Sequence, residues 1–287
     1  MAATGSGSPT GIFPGALRGA GLGLRPPHYG EILENQPPIP WFEALTDNYL
    51  GGGLPLHHLE RVREHYPLTL HGVGLSLGSA DPLEMGYVTR LKALVDRIEP
   101  VHVSDHLAWV SWGGQSFNDL APIPYSEAVL AYVAERIETV QDLLGRRLLI
   151  ENLSPYVQFR ASTMQEWHFL AELAERADCH LLLDINNVVV NAHNHGFDPH
   201  DYLRALPADR IREIHLAGYE RREGFLFDTH GHPVQADVWA LYSQALGRFG
   251  PIPTLIEWDT DIPSLAVLLM EAHRAEKLLQ RCTPPAT

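Results

Sequence analysis

Short apolar runs along this chain repeatedly stop on a residue that can bind a metal ion or carry a proton. LTLHG carries His71, VSDH ends at His106, and LLIEN ends on Glu151 and Asn152. LLLDINN supplies Asp184 and Asn187, REIHL supplies His215, and TLIEWD supplies Glu257. Asp228 and His230 follow the His215 run in the segment DTHGH. All are imidazole, carboxylate or amide donors. The only cysteines, Cys179 and Cys282, lie far apart and in no CxxC spacing, so no thiolate site or disulfide framework is indicated. A lone strand-end His or Asp more often makes a structural hydrogen bond. Repetition over six successive runs makes these residues a set.

Charge restricts what that set can do. Glu151, Asp184, Asp228 and Glu257 would repel one another in a partly buried site unless cations or protons stood between them. Basic residues at the run ends are scarce, Arg25 being the clearest. The donors outnumber the three or four ligands of a single catalytic zinc, so two or three metal ions fit better than one. Nitrogen and oxygen donors leave Fe, Mn, Zn and Co all open. Asn187 is read as a carbonyl-oxygen ligand or a strand-end cap. Arg25, Asn118, Asp119, Asn152, His193, His195 and His232 are candidates for supporting the ligands or touching a substrate. His57, His58, His65, His168, His200 and His273 read as surface residues, and His102 as a core histidine. No GxSxG elbow supports a Ser-His-Asp triad, and no catalytic group outside the cluster stands out.

Something must bring six distant runs to one place. The runs 21–24, 41–45, 68–73, 101–106, 148–152, 181–187, 211–217 and 254–258 read as strands, separated mostly by amphipathic helices. One helix spans 126–144, with Val133, Ile137, Val140 and Leu144 on one face. Ser162 and Gln165 have capping-box spacing for another, and a third starts after Asp261 with Pro263 in its first turn. Eight such units in a chain of 287 residues fit an α/β protein of the (β/α)8 TIM-barrel class, as a single domain over 19–280. Segments 1–18 and 281–287 read as loose ends. A doubly wound sheet is the rival, but no GxGxxG fingerprint supports a dinucleotide version. In a barrel the C-terminal strand ends share one mouth. The connections 107–124 and 218–233 read as long loops above it.

Composition agrees. Sixteen His stand beside only 21 Lys and Arg, and 35 acids give a formal charge of -14. That balance argues against nucleic acid or an anionic membrane as partner. No apolar stretch is long enough to span a bilayer, and no signal peptide is evident. A cytoplasmic protein is expected.

The segments GLGLRPPHYGEIL, HGVGLSLGS, VSDHLAW, NDLAPIPY, IENLSPY, LLLDINNVVVNAHNHGFDP, EIHLAGY, DTHGHPV and TLIEWD closely resemble the multinuclear non-haem iron-dependent oxidative enzymes, formerly domain of unknown function family 692. The resemblance covers about Gly21 to Lys277. It implies a TIM barrel holding two or three iron ions in a mixed-valent Fe(II)/Fe(III) state, with dioxygen as co-substrate. It also implies oxidative modification of cysteines in a ribosomally made precursor peptide, with a small partner protein helping to recruit that peptide. Carried onto this chain, the matching ligands are His71, His106, Glu151, Asp184, His215, Asp228, His230 and Glu257, with Asn187 beside them. Tyr219 departs from the pattern, since relatives often have His after IHLAG. Two other classes stay open: a sugar isomerase or phosphodiesterase of the related metal-barrel type, and a non-catalytic metal-binding accessory protein.

Overall fold

A computed structural model describes residues 17–282. Eight parallel strands close into a barrel: β1 Ala20–Gly23, β2 Phe42–Leu45, β3 Leu68–Gly72, β4 Val103–His106, β5 Leu149–Glu151, β6 His180–Asp184, β7 Ile211–Leu216 and β8 Thr254–Ile256. Each pairs with its sequence neighbours in the barrel, and β8 returns to β1 through Ala20–Thr254 and Leu22–Ile256. The covering helices are α1 Tyr29–Asn35, α2 Gly53–Arg63, α3 Met85–Ile98, α4 Glu127–Leu144, α5 Glu166–Arg176, α6 Ile185–His195, α7 Pro199–Ala205, α8 Ala236–Phe249 and α9 Leu265–Cys282. The expected TIM barrel is the observed fold. No described helix is long and apolar enough to cross a membrane.

Strand alternation sorts the side chains. Leu68, Leu70, Val103, Ile150, Leu181, Leu183, Ile214 and Leu216 join the main apolar core with the buried faces of the helices. The other face of the same strands carries Thr69, His71, Ser104, His106, Glu151, Asp184, Glu213 and His215. That this second face is the lumen follows from contacts across it. Glu43 on β2 meets His215 on β7, which is not an adjacent strand. Below the polar levels Leu17, Trp41 and Leu255 form a small buried apolar cluster that plugs the barrel floor. Gly21 makes room for that plug, because a Cβ there would lie 2.4 Å from the Trp41 ring. Leu17 therefore belongs to the folded body, while residues 1–16 and 283–287 lie outside those described.

Several expected boundaries move, for local reasons. Strand six stops at Asp184, whose carboxylate accepts the Asn187 N–H at 2.7 Å and caps α6. Residues 185–187 are thus the first turn of a helix rather than the end of a strand. The Ser162 capping box is not used: Gln165 is the cap of α5, and Ser162 Oγ accepts the Tyr125 N–H at 3.0 Å. Pro263 precedes the first turn of α9, which begins at Leu265. Both expected long loops contain hairpins, Trp109–Trp112 with Gln115–Ala121 and Glu220–Arg222 with Phe225–Phe227.

Candidate metal centre at the barrel mouth

The barrel brings His71, His106, Glu151, Asp184, His215 and Glu257 together, all of them buried, with Asp228 and His230 beside them. The Glu257 N–H donates to Leu216 O at 2.9 Å, so the β8 ladder holds it one residue beyond the formal strand end.

The first group is decided by hydrogen bonds on its far side. His106 Nδ1 lies 3.1 Å from the Gly72 carbonyl, which can only accept, so Nδ1 carries the proton and Nε2 a bare lone pair. Ser104 donates its hydroxyl to Leu70 O at 3.4 Å and accepts from His71 Nδ1 at 2.8 Å, which leaves His71 Nε2 bare as well. The two Nε2 atoms are 3.3 Å apart, and Glu151 Oε2 is 3.2 Å from each. Burial pushes both imidazoles down to about 3, so they are neutral at pH 7. Three converging lone pairs repel unless a cation stands among them.

Glu151 turns its other oxygen to a second group. Oε1 lies 3.7 Å from His215 Nδ1, which is 3.0 Å from Glu257 Oε2. Asp184 completes this set, in which one donor atom from each residue lies within 4.8 Å of every other. Asn187 occupies one oxygen of Asp184, and Asp184 Oδ2 has no hydrogen-bond partner. A third group is His230, Glu257 and Asp259, with His230 Nδ1 3.2 Å from Glu257 Oε2 and 3.4 Å from Asp259 Oδ2, while its Nε2 lies 2.8 Å from Asp228 Oδ1 and 3.9 Å from Asp184 Oδ2. Asn187 commits its amide nitrogen to Asn152 O at 3.0 Å, so its buried Oδ1 remains unpartnered. Three adjoining donor groups linked through Glu151 and Glu257, with Glu151 Oε2, Asp184 Oδ2, Asn187 Oδ1 and His230 Nε2 buried and without hydrogen-bond partners, fit two or three metal ions.

Protons now occupy what cations would take. Burial raises Glu151 well above the usual carboxylate range and Asp184 to about 7. Burial also disfavours the charged form of His215 and His230. It is outweighed by Glu43 and Glu257 at His215, and by Asp228 and Glu257 at His230, so both imidazoles are held well above their ordinary value. Loading with a divalent cation should therefore release protons, and affinity should rise as pH climbs through about 7. Calorimetric titration in two buffers of different ionisation enthalpy reads this directly. An affinity flat from about pH 6 to 8 would contradict it.

Several supporting residues escaped the sequence reading. Glu43, an acid inside the run WFEAL, is buried with Oε2 bonded to Thr69 at 3.1 Å and Oε1 3.4 Å from His215 Nε2. It can fix the His215 nitrogen that faces away from Glu151 and Glu257. Glu213 lies below, 2.8 Å from His102 Nδ1, so His102 is a half-buried histidine satisfied by that hydrogen bond. Asp259 lies 3.4 Å from His230 Nδ1 and binds Arg25. A second acid two residues beyond Glu257 was the available signal. Arg25 also donates to Trp258 O, so it braces the β8 exit. Asn186 and Ser154 hold Asp228 at 2.7 and 2.6 Å.

Of the remaining expected residues Asn152 supports the donors, and the others lie away from them. Asn152 ties β5 to β6 through both Asp184 backbone groups. His195 bonds Pro155 O, His232 bonds Thr229, and His193 is exposed. None of these three joins the cluster. Asp119 is exposed on the first hairpin, and the side chain of Asn118 is outside those described. Tyr219 is buried and donates to Asp237 on α8 at 2.7 Å, facing away from the donor groups. Cys179 is buried, its thiol pushed up to about 12.

Residues 19–280 match the family model described as RiPP precursor modification enzyme MbnB/TglH/ChrH. The chain belongs to this family. A UPF0276 protein of Acaryochloris marina is 70% identical over 94% of this chain and 98% of that protein. Among solved structures, D-psicose 3-epimerase from Clostridium cellulolyticum covers 92% of this chain and 99% of its own, with TM-score 0.61 and 11% identity. Endonuclease IV from Thermus thermophilus covers 92% and 99%, with TM-score 0.60 and 16% identity. Those two share the barrel, and a shared barrel does not carry a reaction with it. Family membership makes this chain one of a group of precursor-peptide modification enzymes.

Proposed function

We propose that this protein uses a cluster of two or three iron ions and dioxygen to oxidise cysteine residues of a ribosomally made precursor peptide. The observation that carries the reading is the shared Glu151 carboxylate, one oxygen facing His71 and His106 and the other facing His215. Such a bridge suits neighbouring metals acting together. Iron held by these residues would supply redox chemistry and would lower the pKa of a thiol bound to it.

The chain's own residues set the conditions. His71 and His106 arrive already deprotonated, so they give up no proton on loading. Gly72 and Ser104 fix their tautomers. Glu43 stands where it can hold His215, and Arg25 keeps Asp259 and the Glu257 exit in place. A cavity of about 550 Å³ is lined in part by Tyr125, Phe159, Trp167 and His195, and by none of the donor residues. A small protein that helps deliver the peptide belongs to the same proposal.

The test is anaerobic loading with Fe(II), addition of a cysteine-containing precursor peptide, and mass spectrometry before and after admitting oxygen. An oxygen-dependent mass change confined to the cysteines is expected. Stoichiometric zinc with no such change would favour an isomerase or phosphodiesterase reading, and metal binding without any turnover an accessory role.

A further inference from the structure

Six of the donor residues stand on backbone held by the barrel sheet, but Asp228 and His230 do not. They sit on the excursion 217–235 between β7 and α8, whose hairpin pairs only with itself among the described residues. His230 has φ 45°, a left-handed conformation that a residue other than glycine adopts only when its surroundings impose it. The question is what fixes the excursion.

At its base Gln235 pairs through its side-chain amide with both backbone groups of Tyr219, at 3.1 and 2.7 Å. At the hairpin Asn194 of α6 does the same for Leu226: its Oδ1 accepts the Leu226 N–H at 2.8 Å and its Nδ2 donates to the Leu226 carbonyl at 2.9 Å. The pair reproduces what a neighbouring strand would provide. Leu226 is buried, and Asp228 follows two residues later. Asn194 lies on the helix that begins at Asp184 and also carries Asn186 and Asn187. This helix thus holds the hairpin end of the excursion, while the β8 exit holds its return: the Asp259 N–H donates to His230 O at 2.7 Å and Thr260 Oγ1 to Thr229 O at 2.9 Å.

Resting on the metal-centre reading above, we propose that Asn194 is a positioning residue for the outer metal position, the one bounded by Asp228 and His230. It governs that position's affinity separately from any ion seated on the barrel strands. The experiment is anaerobic Co(II) titration by equilibrium dialysis on the full chain, comparing wild type with Asn194→Ala, Asn194→Asp, Asp228→Ala and His71→Ala. Asn194→Ala should weaken by about tenfold to a hundredfold the class of ion that Asp228→Ala removes. The class that His71→Ala removes should keep its affinity. Asn194→Asp, which sets an acceptor against the Leu226 carbonyl, should show the same loss. A uniform weakening of every class would mean that Asn194 only supports the fold, and overturns the proposal. So does an unchanged titration. A wild-type chain that takes up no ion overturns the metal-centre reading, and the proposal with it.

Discussion

Replacing Glu151 by Gln should leave a folded protein that no longer assembles the cluster. The carboxylate serves two groups at once, through Oε2 to His71 and His106 and through Oε1 to His215. Apparent binding free energies at structural metal sites are on the order of 10–16 kcal/mol, which shared over four ligands gives about 3 kcal/mol each, or roughly a hundredfold in affinity. Because Glu151 is shared, both positions should lose that much. The metal-free fold should not suffer. An amide at this site can donate to the bare Nε2 atoms of His71 and His106, as the protonated Glu151 carboxyl does in the metal-free protein. Metal titration together with thermal melting of the metal-free variant separates these effects. A variant that keeps the wild-type metal complement at wild-type affinity would remove Glu151 from its bridging role.

Gly218→Ala should be the most damaging methyl that can be added near the mouth. A Cβ there would lie 2.1 Å from the His232 carbonyl oxygen and 2.6 Å from that of Pro233. Both obstacles are backbone, so no side chain can rotate away. Overpacking of this kind costs about 3 kcal/mol, a fall of roughly 6–12 °C in Tm for a domain of this size. The cost should not stay local. The clash separates the exit of β7 from the return of the excursion, so Asp228 and His230 must shift relative to Asp184 and Glu257. Melting curves with and without metal should show the variant losing both basal stability and part of the metal-induced gain. A Tm within about a degree of wild type would show that the two segments can part at no cost.

The parts legible from sequence were those with a short-range signature. Apolar runs that stop on a donor placed His71, His106, Glu151, Asp184, His215 and Glu257 at strand ends. The repeating strand and helix units then implied a barrel, and a barrel implies a common mouth for the strand ends. Asp184 misled because an acid that ends an apolar run can be a strand end, a helix cap or both. Here it is both, since it closes β6 and caps α6. Glu43 was missed because one acid in a short apolar run resembles an exposed residue on a half-buried strand. The barrel turns it toward the lumen, against Thr69 and His215. The hairpins were missed because their pairing is local to loops with weak apolar alternation.

By itself the sequence determined the inventory and its order: nitrogen and oxygen donors, no thiolate, one or two at each successive strand end. It could do so because residue type and strand face are properties of neighbours along the chain. Only the tertiary structure decided which imidazole nitrogen is bare, which carboxylate is shared, and which acid stands behind His215. Those facts depend on Gly72 beside His106, Ser104 beside His71, and Glu43 across the lumen from β7. Each contact joins segments far apart in sequence, and its geometry is set by how the eight strands stagger and close.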